Sequence, residues 1–162
     1  MQQQQAAMDA IRPELIVSGW RVDFEKDPDH FSRLFIDVVQ NIGAGPAFRV
    51  LIYAPQPART RLTVLTDVSQ IAVLAKDVKV RVDATIKLAF KGEPKSSPKL
   101  LPLEVHLTYS DLRGNRYRTM YDVLVSDQPI GFTERLGPGV TLRSRRTVPD
   151  SRGRWWWPFN WP

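Results

Sequence analysis

Apolar and polar residues alternate with a period of two along most of this chain. In the clearest segment, VKVRVDATIKLAF at residues 78–90, apolar side chains occupy every second position as far as Leu88, and charged residues or threonine fill the positions between. Successive side chains of a β-strand lie on opposite faces, so this pattern predicts a strand with one buried and one solvated face. On a helix the same residues would place charge on every side, which argues against a helix.

The same alternation recurs in five further segments, at residues 13–24, 31–41, 47–55, 101–111 and 115–125, and residues 70–75 are predicted as a short apolar strand. Residues 61–66 are a weaker candidate. The segments between these strands are rich in glycine, proline and polar residues, as expected of turns: residues 41–47, 54–60, 91–99 and 111–115. About seven strands joined by such turns predict an all-β fold, an antiparallel β-sandwich.

Composition divides the chain of 162 residues into three parts. Residues 1–11 are a polar lead-in, residues 12–127 are the predicted sandwich, and residues 128–162 are a basic tail rich in proline, glycine and tryptophan. Residues 140–144 in this tail are compatible with one extra strand. Of the net charge of +6, the tail carries +4, which leaves +2 for the rest of the chain. This asymmetry indicates an acidic partner for the tail.

Two turn motifs resemble those of a known group of domains. The first comprises Asn41, Gly43, Gly45, Pro46 and Ala47, and the second comprises Tyr109, Asp111 and Gly114. Their order over residues 12–127 resembles poorly characterised bacterial immunoglobulin-like domains, similar in layout to bacterial cell-adhesion-related domains. The resemblance implies an immunoglobulin-like sandwich that serves in binding or assembly. It also implies membrane association, because such domains often follow an anchor.

The sequence indicates neither an anchor nor a signal peptide in this chain. The opening MQQQQAAMDA lacks a basic segment followed by an apolar one, which a signal peptide requires. No run of about 18 apolar residues is present to form a membrane-spanning helix.

Catalytic and metal-binding residues are sparse in this sequence. Cysteine is absent, and no serine or lysine lies in a motif typical of hydrolases or phosphate-binding loops. His30 lies beside Asp27 and Asp29, but aspartates in such loops usually cap turns. His106 falls on the polar face of its segment and is expected to be solvated. We therefore expect no enzyme, no cofactor and no metal site.

Three tyrosines, Tyr109, Tyr117 and Tyr121, alternate with polar or charged residues on their segments. They fit either an aromatic recognition strip or half-buried positions in a sheet, and we interpret them as part of the core.

The C-terminal sequence RGRWWWPFNWP resembles the short antimicrobial peptides rich in tryptophan, proline and arginine. Indole rings settle at the headgroup level of a bilayer, and guanidinium groups pair with lipid phosphates. The candidate partner-binding residues are therefore Arg143, Arg145, Arg146, Arg152, Arg154, Trp155, Trp156, Trp157, Phe159 and Trp161.

Three interpretations of the tail remain open. It can cover an apolar groove of its own sandwich or of a neighbouring subunit, dock on an anionic membrane, or stack on single-stranded nucleic acid. We predict a non-enzymatic interaction or assembly module. Its expected partner is a protein or a second copy of the chain, with possible peripheral contact with an anionic membrane, and single-stranded nucleic acid is the alternative.

Overall fold

One short helix and ten strands form the described part of the protein in the computed structural model. The structure describes residues 2–9, 11–23, 32–57, 62–66, 69–90, 100–126, 135–137 and 139–150. Helix α1 spans Gln2–Asp9. The strands are β1 (Leu15–Asp23), β2 (Ser32–Asn41), β3 (Ala47–Tyr53), β4 (Leu62–Thr66), β5 (Ser69–Leu74), β6 (Lys79–Phe90), β7 (Leu100–Ser110), β8 (Arg116–Ser126), β9 (Arg135–Gly137) and β10 (Val140–Pro149).

The strands form two antiparallel sheets. One sheet has the order β1-β2-β6-β4, and the other has the order β5-β3-β7-β8-β10-β9. The predicted all-β sandwich is thereby confirmed. The strands beyond the expected seven are β4, which was the weaker candidate, and β9 and β10, which lie in the segment assigned to the tail.

The hydrophobic core lies between the two sheets, where the apolar faces of the alternating strands meet. Trp20 of β1 is 2% exposed, and its ring centroid is 5.0 Å from that of Tyr121 of β8. The hydroxyl of Tyr121 accepts a hydrogen bond of 2.8 Å from the backbone N–H of Val17, so a polar contact also joins the two sheets. The interpretation of the three tyrosines as core residues is confirmed, because each is at most 6% exposed.

Strand β10 extends the sandwich beyond the predicted boundary at residue 127. It pairs antiparallel with β8 from Val140 opposite Val125 to Pro149 opposite Tyr117, with an irregularity between Leu142 and Ser144. The sequence suggested only a short strand here because residues 142–146 are all exposed and therefore show no alternation of burial. This pattern is typical of a strand close to the edge of a sheet.

The first turn motif joins three segments through the buried side chain of Asn41. Its Oδ1 accepts hydrogen bonds from the N–H groups of Glu14 and Gly43, and its Nδ2 donates to the carbonyls of Gly45 and Leu74. The chain before β1 also passes very close to the two glycines. A Cβ at Gly43 would lie 2.2 Å from the nitrogen of Glu14, and a Cβ at Gly45 would lie 2.2 Å from the carbonyl oxygen of residue 11. The first turn motif therefore has a structural role, because it holds the segment before β1 against the turn after β2.

The second turn motif is built around the buried carboxylate of Asp111. This carboxylate accepts hydrogen bonds from the backbone N–H groups of Arg113 and Asn115 at 2.8 and 2.9 Å. It also accepts one of 2.8 Å from the side-chain amide of Asn115 and one of 3.0 Å from the hydroxyl of Tyr117. The hairpin between β7 and β8 is thus closed by a single side chain that satisfies several donors.

Candidate partner-binding surface

Strand β10 carries three of the predicted partner-binding residues on the surface. Arg143 lies 3.8 Å from the carboxylate of Asp122, and Arg145 pairs with the carboxylate of Glu14. Arg146 has no acidic partner among the described residues. The strand therefore presents one arginine whose charge is not offset, together with two whose charges are partly neutralised.

The end of β10 is held by an ion pair that solvent hardly reaches. The guanidinium of Arg118 lies 3.1 Å from the carboxylate of Asp150, and the two side chains are 9% and 13% exposed. The backbone N–H of Asp150 also donates to the carbonyl of Arg116 at 2.8 Å. The segment that follows Asp150 therefore starts from a fixed point at the end of the sheet.

The tail residues that the sequence selected lie outside the described residues. They are Arg152, Arg154, Trp155, Trp156, Trp157, Phe159 and Trp161. The structure places Arg143, Arg145 and Arg146 on one strand, so the three described residues of the predicted site are neighbours in the fold.

A cleft of about 720 Å³ adjoins β10 where the two sheets meet at their edges. Arg145, Arg146 and Thr147 of β10 line one side. Arg12, Glu14 and the turn at residues 42–44 line the other side. Since neighbouring residues of a strand point to opposite faces, three consecutive lining residues place this cleft, called here the edge cleft, along the edge of β10.

A second cleft of about 590 Å³ lies on the outer face of the six-stranded sheet. Polar residues of β7, β8 and β10 line it, among them Glu104, His106, Arg118 and Arg146. One rim is formed by residues 55–57. Gln56 holds that rim to β4, because its side-chain oxygen accepts from the N–H of residue 64 at 2.8 Å.

His106 corrects a prediction, because it is buried rather than solvated. The residue is 6% exposed, its Nε2 lies 2.9 Å from a carboxylate oxygen of Glu104, and the ring of Tyr53 packs edge-on at 5.4 Å. The alternation correctly assigned His106 to the outer face. It did not indicate that β7 lies between β3 and β8, whose large side chains shield the ring.

The tyrosine hydroxyls behind this surface are held in their neutral form. Burial, reinforced by the hydrogen bond to the Asp111 carboxylate, raises the pKa of Tyr117 to about 12, although Arg12 lies 5.5 Å above its ring. Burial also raises the pKa of Tyr121. The charge on this part of the surface therefore comes from arginine and carboxylate side chains.

The segment that contains Asp27, Asp29 and His30 lies outside the described residues. Within the described ranges, no group of three histidine, aspartate or glutamate residues is placed to hold a metal ion. In the same part of the chain, no helix has the length and apolar character needed to cross a membrane.

Four residues of this surface were not selected from the sequence: Arg12, Glu14, Arg118 and Asp150. The alternation placed Arg118 on the polar face of its strand, but its partner lies 32 positions away. Glu14 and Arg145 are 131 positions apart. Charge alone does not indicate such pairs, because their proximity depends on how the strands are arranged.

Comparisons with known proteins place the chain in one domain family. Residues 1–127 match a family model described as a domain of unknown function, DUF8453. No curated protein and no solved structure matches the chain significantly.

Proposed function

We propose that this chain, which belongs to the DUF8453 family, is a non-enzymatic interaction module that docks on an anionic membrane interface. The docking element is the basic, aromatic segment that follows Asp150, assisted by the arginines of β10. The observation that carries this proposal is the geometry of β10, which exposes Arg143, Arg145 and Arg146 and ends in a buried ion pair.

The charges of this region favour an anionic surface. Each basic residue close to such a surface contributes about 1 kcal/mol to binding. Arg143 and Arg145 already face carboxylates, so we expect most of the attraction to come from Arg146, Arg152 and Arg154. Their combined contribution is about 3 kcal/mol, which is enough for weak and reversible docking.

The indoles of the last eleven residues favour the headgroup region over the hydrocarbon core. Tryptophan has an apolar ring with one N–H donor. It therefore lies at the headgroup level, where the ring contacts lipid and the N–H group contacts water or a polar headgroup. Partial burial of four indoles adds a few kcal/mol at about 25 cal/mol per Å². Pro158 and Pro162 lack the N–H donor of a regular helix, so the segment is suited to lie at the interface.

Co-sedimentation with lipid vesicles tests this proposal. We expect the full chain to pellet with vesicles of phosphatidylcholine and phosphatidylglycerol, and to pellet less with phosphatidylcholine alone. A chain that ends at Asp150 should stay in the supernatant. Replacing Arg152 and Arg154 by glutamine should weaken binding about 30-fold, which corresponds to about 2 kcal/mol.

Replacing Trp155, Trp156 and Trp157 by alanine should also weaken vesicle binding. The matched control is Leu112→Ala, which removes an apolar side chain that is 68% exposed on the β7–β8 turn. Equal pelleting of the full chain and the chain ending at Asp150 would refute the proposal. Binding to a single-stranded oligonucleotide without binding to vesicles would replace it with the nucleic-acid alternative.

A further inference from the structure

One edge of β10 is left largely unpaired by the described strands. Strand β9 pairs only with Val140 and Thr141. Among the described residues, no strand pairs with the same edge from Leu142 to Pro149. Backbone N–H and C=O groups along such an edge are free to form a further ladder with an extended segment.

The charge of this edge disfavours a second copy of the chain as the partner. If two β10 strands paired antiparallel in a register centred near residue 145, the arginines at 143, 145 and 146 would lie close to the same residues of the other copy. Like charges opposite each other destabilise a strand pair. The same arginines would stabilise an added strand that carries carboxylates.

The edge cleft provides room for those carboxylates. It is lined by three arginines, Arg12, Arg145 and Arg146, against a single carboxylate, that of Glu14. Its volume of about 720 Å³ adjoins the unpaired edge, and the consecutive lining residues 145–147 show that it reaches around that edge.

We propose that the unpaired edge of β10 and the edge cleft bind an extended, acidic polypeptide segment by β-strand addition. The backbone ladder supplies affinity, and Arg145 and Arg146 of the cleft, which lie on opposite faces of β10, select glutamate or aspartate on either face of the added strand. This site is formed by described residues of β10 and the edge cleft, and it shares Arg146 with the membrane contact proposed above. It therefore adds a protein partner to that contact.

Fluorescence anisotropy with labelled synthetic peptides tests this site on the full chain. The probe is a ten-residue peptide in which pairs of glutamates alternate with pairs of valines, so that an added strand carries carboxylates on both faces. Its control is the same peptide with glutamine in place of glutamate. A third peptide keeps the glutamates but carries N-methyl groups on alternate backbone nitrogens, which prevents ladder formation. We expect both altered peptides to bind at least about tenfold more weakly than the probe.

Variants of the protein locate the site. Arg146→Gln should weaken probe binding about fivefold, and the double variant with Arg145→Gln about tenfold or more. Lys87→Gln is the matched control, because it removes one positive charge from β6 in the other sheet, and it should bind as the wild type does. Circular dichroism and the melting temperature establish that each variant is folded.

Two outcomes would overturn the proposal. Equal binding of the N-methylated peptide would mean that charge alone attracts the probe. Loss of probe binding on replacing Arg152 and Arg154 by glutamine, with no loss on replacing Arg145 and Arg146, would assign the acidic segment to the tail. Vesicle binding and probe binding are separable, because replacing the tail tryptophans should abolish only the first.

Discussion

At the scale of single residues, buried polar side chains hold the connections of this sandwich. Asn41 is fully buried and joins the segment before β1, the turn after β2 and the end of β5 through four hydrogen bonds. The carboxylate of Asp111 accepts hydrogen bonds from two backbone N–H groups within the β7–β8 hairpin. Removing such a side chain leaves several backbone groups buried without partners, and this costs more than the bonds themselves contribute.

We therefore predict that Asn41→Ala lowers the free energy of unfolding by about 2–4 kcal/mol. Chemical denaturation monitored by tryptophan fluorescence measures this change. Gln40→Ala is the matched control, because the neighbouring side chain is half-buried on β2 and should change stability by less than about 0.5 kcal/mol. Equal losses in the two variants would contradict the role assigned to Asn41.

At the scale of the elements, β10 differs from the central strands in how it is held. Its start is anchored by the fully buried Val140, and its end is anchored by the ion pair between Arg118 and Asp150. Thr147 adds a hydrogen bond of 2.9 Å to the hydroxyl of Thr119. Between these anchors residues 142–146 are exposed, so the strand is fixed at both ends and accessible in the middle.

The ion pair at the end of β10 gives a prediction for this element. Asp150→Ala leaves the guanidinium of Arg118 buried without its carboxylate, and we expect a loss of about 3 kcal/mol in the free energy of unfolding. Adding Arg118→Met should restore much of that loss, because the buried charge is removed as well. Hydrogen exchange of residues 146–150 should rise in the single variant. No recovery in the double variant would mean that the buried, unpaired charge of Arg118 is not the cause of the loss.

At the scale of the whole molecule, the sandwich is longer than the segment that the family match covers. The match ends at residue 127, whereas β10 ends at Pro149 and contributes a strand to the six-stranded sheet. The aromatic segment thus follows directly from a strand of the sandwich, and the basic surface belongs to the folded part as well as to the tail.

We predict that a chain ending at residue 127 aggregates or melts at a much lower temperature than the full chain. It would lose β10, one of the two strands that pair with β8, together with the buried Val140. A chain ending at Asp150 should melt within about 2 °C of the full chain, a shift that corresponds to about 0.5–1 kcal/mol at most. Calorimetry decides between these outcomes, and an equally stable chain ending at residue 127 would contradict the role of β10.

The sequence alone determined the elements whose residues alternate strictly. Strands β1, β2, β3, β6, β7 and β8 coincide with segments selected by their alternation, because burial of one face of a sheet imposes a period of two on the sequence itself. Strand β4 coincides with the weaker candidate, and β5 with the short apolar segment. The two turn motifs were also visible, since glycine, proline and asparagine are required locally. The composition of the last eleven residues is likewise a property of the sequence, and the membrane contact inferred from it remains a prediction.

Only the tertiary structure decided how the strands are arranged and which charges meet. Alternation indicates on which face of a sheet a side chain lies, but it does not indicate whether the strand is central or at an edge of that sheet. His106 was therefore expected in solvent although β3 and β8 bury it, and most of β10 was assigned to the tail because an exposed edge strand need not alternate. The pairs Arg118–Asp150 and Glu14–Arg145 depend on strand order, which results from packing the whole core.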